Sequence, residues 1–531
     1  MALTLRQSMS GMHSWVGLVF SWLLFFMFLT GTAGYFDTEL DRWMKPELPA
    51  PNTESVNQNL TVAQRYLQQQ APAAERWHIR VPGNRDAAHL RVSWRNPQAG
   101  ERRRHGGGES ALLDGRTGAV LEARDTGGGQ ALYRLHYRLA YLPRGVTVWL
   151  IGLFSFFMLL ALLTGIVIHR NIFRDLFTFR PGRKLRSWLD MHNLMSVISL
   201  PFQLMITYSG LVFFLLTYMP LIAVGSYGMG PGKMDVLVDE LFPRSQQEAA
   251  GQPARLAPLS LMAEQAQAQW GQQQLQRLVV EWPGDINSRV QMDRVQGSVL
   301  RQREELLFTG TSGELLTEPQ PPRSGPLKVH SALLGLHEGN FAGPLLRWLY
   351  FGSGLLGTGM IATGLILWSV KRRARQARLP QPAAGFRLVE GLNIGTLAGL
   401  PIAIAGYFWA NRLLPLELEN RAQWEIHSLF LIWLLMLLYP LFRSFRRGWI
   451  EQCWIAAAAF GLLPLLNALT TERHLGYSLS QRDWALAGVD LTMLAFGLSF
   501  ALAAWLLQRH WQEKPVAGAR SVNRPLQEAT A

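Results

Sequence analysis

One cysteine in 531 residues leaves this chain almost no sulfur chemistry. Cys453 lies within an apolar run, which excludes disulfides, thiolate metal sites and iron–sulfur clusters and leaves it as structural filler. No C-x-x-C-H is present to tether a cofactor through thioether links. There is no P-loop, no nucleophile elbow and no zinc-protease HExxH, since His337-Glu338 lacks the second His. Gly352-Ser353-Gly354-Leu355-Leu356-Gly357 fits G-x-G-x-x-G but sits inside an apolar span with no preceding strand, so helix packing by small residues explains it. Charge is scarce as well, at 17% of residues. The formal net charge of +14 is not carried by a basic, aromatic-interleaved soluble domain, which excludes nucleic acid as a partner.

What the chain has is apolar length. Eight runs of 20 or more residues, at 14–36, 146–168, 194–218, 345–370, 392–413, 424–445, 449–470 and 484–507, predict a multi-pass protein of the lipid bilayer. The first run reads as an uncleaved anchor, because Gly31-Thr32-Ala33-Gly34 is followed by aromatics and acids. The loops at 169–191 (Arg170, Arg174, Arg180, Arg183, Lys184, Arg186), 371–387 (Lys371, Arg372, Arg373) and 443–447 (Arg443, Arg446, Arg447) are basic. The positive-inside rule therefore places them in the cytoplasm with both termini, and puts 37–145 and 219–344 on the outer face, which with an inner-membrane location is the periplasm.

The expected organisation is 1–36, cytoplasmic N-terminus and first helix; 37–145, first outer module; and 146–218, second and third helices with their loop. It continues with 219–344, second outer module; 345–370, fourth helix; 371–391, basic cytoplasmic loop; 392–507, helices five to eight; and 508–531, cytoplasmic tail. The cytoplasmic loops are too short for a flavin or nicotinamide domain. Any electron donor would be membrane quinol, a cytoplasmic reductase or a small diffusible reductant.

The chain also repeats itself. Thr164-Gly165-Ile166-Val167-Ile168-His169 answers to Thr363-Gly364-Leu365-Ile366-Leu367-Trp368, and Leu135-His136 answers to Leu336-His337. In each outer module a helical stretch (Leu60–Gln70, Leu259–Trp270) precedes two alternating strands: Trp77–Val81 and Leu90–Trp94 in the first, Leu278–Trp282 and Val290–Val295 in the second. A hairpin then follows in each, at Ala111–Leu121 and Leu306–Leu316, punctuated by Asp114-Gly115 and Ser312-Gly313. The fold class is a membrane all-α bundle of about eight helices carrying two α+β modules. Helices five to eight lack such an insert and read as an appended bundle.

Five of the twelve histidines stand at the ends of apolar runs: His13, His136, His169, His192 and His337. Neutral imidazoles at both faces of a helix bundle are what two b-type haems need for axial ligands. Interfacial rings sitting at headgroup level are the plainer alternative. On the outer face His136 and His337 occupy matching repeat positions and form the expected pair, with His330 as runner-up one heptad earlier. On the cytoplasmic face His13, His169 and His192 compete for two positions; His13 and His192 are repeat mates, whereas Trp368 stands at the equivalent of His169. A straight first helix from His13 to Phe36 would rise about 35 Å, setting the two haems far apart. His78, His89 and His105 read as module surface, His427 as a structural residue at the start of the sixth helix, and His474 and His510 as loop and tail. Arg102-Arg103-Arg104 could attract an anion, but a solvated Gly-rich loop over 102–108 fits better.

His13-Ser14-Trp15-Val16-Gly17-Leu18, Thr164–His169, Trp188-Leu189-Asp190-Met191-His192-Asn193, Leu336-His337-Glu338-Gly339 and Arg347-Trp348-Leu349-Tyr350-Phe351 together resemble the PepSY-associated transmembrane family, over about residues 5–375. By that resemblance the outer modules are PepSY-like. The resemblance further implies an iron-regulated inner-membrane protein similar to di-haem ferric-siderophore reductases, with a hydroxamate (ferrioxamine-type) chelate as substrate. Two other functions compete: a siderophore or iron transporter, at which Pro201 and Pro401 hint weakly, and a regulatory protein whose modules restrain a periplasmic partner.

Overall fold

The computed structural model of the chain describes residues 4–96 (Asn84 and Asp86 excepted), 109–169, 185–214, 248–271, 275–295, 303–316 and 325–512, with isolated positions between them. The Gly-rich stretch at 102–108, His105 within it, most of the basic loop at 169–191 and the tail beyond 512 lie outside the described residues. Two compact units divide the chain, Met1–Gly364 and Leu365–Ala531.

The first unit opens with α1 (Leu5–Val19) and α2 (Ser21–Gly34), then α3 (Asp37–Met44) and α4 (Val56–Gln70). Strands β1 (Arg76–Arg80), β2 (Leu90–Arg95) and β3 (Glu109–Leu113) follow, then α5 (Gly128–Tyr137), α6 (Arg144–Ile168) and α7 (Leu185–Val212). The second half repeats the order with α8 (Leu259–Trp270), β4 (Leu275–Glu281), β5 (Arg289–Val295), β6 (Arg303–Thr309), α9 (Gly325–Glu338) and α10 (Pro344–Gln376). The second unit holds α11 (Ala384–Leu397), α12 (Gly399–Leu413), α13 (Arg421–Leu438), α14 (Phe445–Gly461), α15 (Leu463–Thr470), the short α16 (Leu475–Ser480) and α17 (Trp484–Gln512).

Seven spans are long and apolar enough to cross a membrane, and α1 with α2 makes an eighth if the bent pair counts as one. The protein is therefore a multi-span helical membrane protein. The first span is not straight: α1 and α2 meet at 64° around Phe20. The Ser21 hydroxyl bonds the Gly17 carbonyl, competing with the backbone ladder, and such Gly/Ser pairs are a known cause of kinks. Phe20 is held at the bend by stacking on Phe157, ring centroids 4.0 Å apart. A rise of about 35 Å from His13 to Phe36 does not occur. Pro201 sits within the continuous α7, while the break at Ala398 lies three residues before Pro401.

The two modules expected at 37–145 and 219–344 are not separate bodies. Their strands form one antiparallel sheet in the order β3-β2-β1-β4-β5-β6, joined at β1 and β4 with Trp77 opposite Val280 and Ile79 opposite Leu278. Period-two alternation turns Trp77, Ile79, Leu90, Val92, Leu278, Val280, Val290, Met292 and Phe308 to one face. There they pack with Leu60, Ala63 and Leu67 of α4 and Leu259, Met262 and Ala266 of α8 in one core. Both hairpins turn on a left-handed glycine, Gly118 (φ 77°) and Gly313 (φ 75°). Each glycine donates its N–H back across the turn, to Asp114 and to Thr309 respectively.

The second unit buries a polar cluster near its helix ends. Arg421 at the start of α13 pairs with Glu425 at 2.7 Å, both fully buried. Asn411 donates to Glu425 at 2.8 Å, Arg412 reaches Asn467, and Asn467 donates to Asp490 at 3.2 Å. Two cations meet two carboxylates, which is how buried charge is tolerated.

Candidate functional site

Four of the six candidate histidines meet in two pairs, both within the first unit. The rings of His13 on α1 and His192 on α7 have centroids 6.4 Å apart. Those of His136 on α5 and His337 on α9 are 6.1 Å apart. An iron bonded to two imidazole nitrogens at about 2 Å each sets the ring centroids about 6 Å apart. Ring planes cross at 71° in the first pair and 37° in the second; both planes contain the bond axis of such an iron, so neither angle opposes the fit.

Hydrogen bonding settles which nitrogen each ring offers. His13 Nδ1 lies 3.0 Å from the Ala161 carbonyl, His136 Nδ1 2.7 Å from the Met27 carbonyl, and His192 Nδ1 2.9 Å from the Met360 carbonyl. A carbonyl oxygen only accepts, so each Nδ1 carries the proton and each Nε2 keeps a lone pair. His337 Nδ1 meets Ser209 Oγ at 3.0 Å. Ser209 donates its own proton to the Met205 carbonyl at 2.6 Å, so it too accepts from Nδ1–H. Anchoring Nδ1 on an acceptor is the usual way a protein orients a metal-binding imidazole. Burial depresses the His136 and His337 imidazoles, and the neighbouring ring adds to the effect at His337, pushed down to about 3. Both are neutral at physiological pH.

Glycines cradle every ring. A Cβ on Gly31 would stand 2.5 Å from His136 Nδ1, on Gly210 3.1 Å from His337 Cε1, on Gly364 3.2 Å from His192 Cε1, and on Gly165 3.5 Å from His13 Cε1. The repeated Thr-Gly pairs thereby gain a role. Thr164 Oγ1 lies 3.2 Å from His13 Nδ1 and Thr363 Oγ1 3.3 Å from His192 Nδ1.

The His136–His337 pair borders a cavity of about 420 Å³ walled by apolar side chains such as Leu24, Phe28, Met158 and Phe213, within the roughly 300–1,000 Å³ of small-molecule and cofactor sites. Thr207 also lines it, and its hydroxyl is buried without a hydrogen-bond partner. These observations suit a largely apolar, planar group held by two axial imidazoles, which is what haem b is. Ser209 lies seventeen residue steps along α7 from His192, about 25 Å of helix between the two pairs.

His169 joins neither pair. It closes α6 with its backbone N–H on the Gly165 carbonyl at 3.0 Å, and its Nε2 is buried without a partner. His330 lies half-buried two turns before His337 on α9. His78 is on β1, in the sheet. Sequence reasoning missed the anchors Met27, Ala161 and Met360, which act through carbonyls that any residue possesses. It also missed Ser209 and the glycines; the repeated Thr-Gly pair was the signal available.

Among known proteins, residues 10–371 match the family described as the PepSY-associated TM region. An uncharacterized protein of Pseudomonas aeruginosa is 28% identical over 377 residues, covering 68% of this chain and 90% of the relative. The family match, residues 10–371, spans both histidine pairs and both halves of the sheet.

Proposed function

Since the chain belongs to the PepSY-associated TM family, we propose that its first unit is a di-haem electron conduit through the bacterial inner membrane that reduces a ferric siderophore on the periplasmic side. The observation that supports this reading is the two imidazole couples, 6.4 and 6.1 Å between ring centroids, each ring with its Nδ1 bonded to the protein so that Nε2 keeps its lone pair. His13 and His192 would hold the inner group, and His136 with His337 the outer one. Haem b held by these histidines would supply reversible one-electron chemistry. The chain's own contribution is to fix four imidazole tautomers, exclude water with an apolar wall and keep the outer ligands neutral. The basic loops support a cytoplasmic inner end, with the PepSY-like modules outside. A ferric chelate accepting one electron there becomes ferrous, and hard oxygen chelators hold Fe(II) more weakly. Quinol, a cytoplasmic reductase or a small reductant would supply the electron.

Purified protein is expected to yield two haems b per chain in a pyridine haemochrome assay. No haem would refute the reading; one would remove either the inner or the outer site. Transport is the second reading, resting on the buried polar cluster around Arg421 and Asp490. Passage of labelled siderophore into liposomes without any haem redox change would favour it.

A further inference from the structure

Three residues at the junction of α2 and α3, Tyr35, Asp37 and Glu39, are gathered by one side chain from the sheet. Arg85, in the connection between β1 and β2, donates to the Tyr35 carbonyl at 2.7 Å. It also forks onto Glu39, with Nε 2.9 Å from one carboxylate oxygen and Nη2 2.6 Å from the other, and stands 3.6 Å from Asp37. Forked guanidinium–carboxylate pairs are strong and directional. Burial would raise the Glu39 carboxyl, but Arg85 and then Arg347 outweigh it and hold the group below the usual range. Arg347 reaches Glu39 at 3.4 Å from the start of α10, in the other repeat.

Both imidazoles of one pair lie just beyond this junction. Tyr35 lines the cavity that His136 and His337 border. Its hydroxyl is 3.5 Å from the His337 carbonyl, and its ring meets Tyr350 edge-on at 5.3 Å. Gly339 packs against both rings at φ 65°; an added Cβ there would lie 3.4 Å from Tyr350 and 3.6 Å from Tyr35. The turn that leaves His337 is therefore seated on Tyr35. Asp37 serves the other ring. It accepts from Gln130 on α5, the helix that carries His136, and its carbonyl leaves no room for a Cβ on Gly129 of the same helix. The anchors of His13 and His192 are instead carbonyls on α6 and α10, those of Ala161 and Met360.

We propose that Arg85 is a positioning residue for the His136–His337 pair: its guanidinium fixes Tyr35 and Asp37, and these hold the segments that carry the two rings. A movement of the β1–β2 connection then reaches both members of that pair and leaves His13 and His192 in place. Its consequence for a haem rests on the di-haem reading, whereas the mechanical link does not, and the two are measured separately.

Hydrogen–deuterium exchange of the full-length protein in detergent reads the link without any haem. Arg85→Ala is expected to speed exchange about tenfold or more over 128–137 and 335–342, the effect of losing charge-assisted bonds. Exchange in β4, β5 and the peptides around His13 and His192 is expected to stay as in wild type. Arg95→Ala, which breaks the pair with Glu75 elsewhere on the sheet, is the control and is expected to leave both segments unchanged. In haem-loaded protein, redox titration is expected to show one of two potentials shifted by Arg85→Ala and partly restored by Arg85→Lys, which keeps the charge but not the fork. Unchanged exchange in both segments, equal acceleration in Arg95→Ala, or a shift of both potentials or of neither would overturn the proposal. Should alanine prevent folding, Arg85→Lys carries the same exchange test, with unchanged segments again the refuting result. The expected exchange pattern in a protein that carries no haem would keep the proposal and sink the reductase reading instead.

Discussion

Alanine at Gly31 and alanine at Gly165 are the same chemical change beside two of the four paired histidines, yet the structure assigns them opposite outcomes. At position 31 the new methyl would stand 2.5 Å from His136 Nδ1 and 2.9 Å from its Cε1, closer than atoms pack. The ring must move, and with it goes the 2.7 Å bond to the Met27 carbonyl. Overpacking of this kind costs about 1–3 kcal/mol and the lost hydrogen bond about 1 kcal/mol. Loss of such an orienting contact typically weakens metal binding by about 10–100-fold. At position 165 the methyl would lie 3.5 Å from His13 Cε1, an ordinary contact. Gly31→Ala is therefore expected to lose outer haem during purification while keeping the inner haem. Gly165→Ala is expected to keep both. Haem per chain by pyridine haemochrome, with redox titration to separate the two centres, reads the difference. Full haem content in Gly31→Ala, or equal loss in the two variants, would refute the assignment of these glycines as cradles.

Alanine at His136 or His337 is expected to remove one haem, and alanine at His13 or His192 the other, whereas His169→Ala keeps both; haem content of the five variants decides. Ser209→Ala removes the acceptor for His337 Nδ1 and, on the proposed reading, is expected to shift the potential of the centre at His136 and His337 while the potential of the other centre stays unchanged in the same titration. Chemically reduced protein is expected to be reoxidised by a ferric siderophore with Fe(II) appearing in a ferrozine trap; no reoxidation would remove the substrate assignment and leave the haem sites standing. His78 has its folded pKa lowered to about 4, so its neutral form contributes stability above the unfolded value of about 6.5. That contribution is lost as pH falls from there toward about 4. His78→Gln is expected to show a shallower loss of denaturant resistance over this range, and an unchanged slope would show that protonation of His78 does not matter.

The spans were legible because crossing a bilayer demands about twenty apolar residues and leaves little choice of pattern. The strands of the modules were legible by alternation, as Trp77, Ile79, Leu90 and Val92 show. Their fusion was not: β1 and β4 are some two hundred residues apart, and an edge strand looks the same in sequence whether it pairs or not. Nor was the bend at Phe20, set by one serine hydroxyl on the Gly17 carbonyl. The histidines could be found from their positions at the ends of apolar runs, but three inner rings stayed in competition. What separates His13 and His192 from His169 is the pairing of their rings, each held through Nδ1 by a backbone carbonyl on another helix.

The anchoring pattern has its own logic. His13 is held by Ala161 and Thr164, and His136 by Met27, so both rings of the first repeat hang on partners in the first repeat. His192 on Met360 and Thr363 and His337 on Ser209 do the same in the second. The ring pairs, by contrast, form only between repeats, as does the β1–β4 joint of the sheet. Each repeat is thus a half-site that orients its own imidazoles, and a two-fold relation brings two half-sites face to face at both ends of the bundle. Isologous contacts of this kind are those of a C2 dimer, here joined in one chain. It follows that altering one anchor misaligns one ligand of one pair and leaves the other pair intact. The fourfold set of Nδ1 bonds is therefore four separable observations rather than one, and a variant series across Met27, Ala161, Ser209 and Met360 contacts samples each alone.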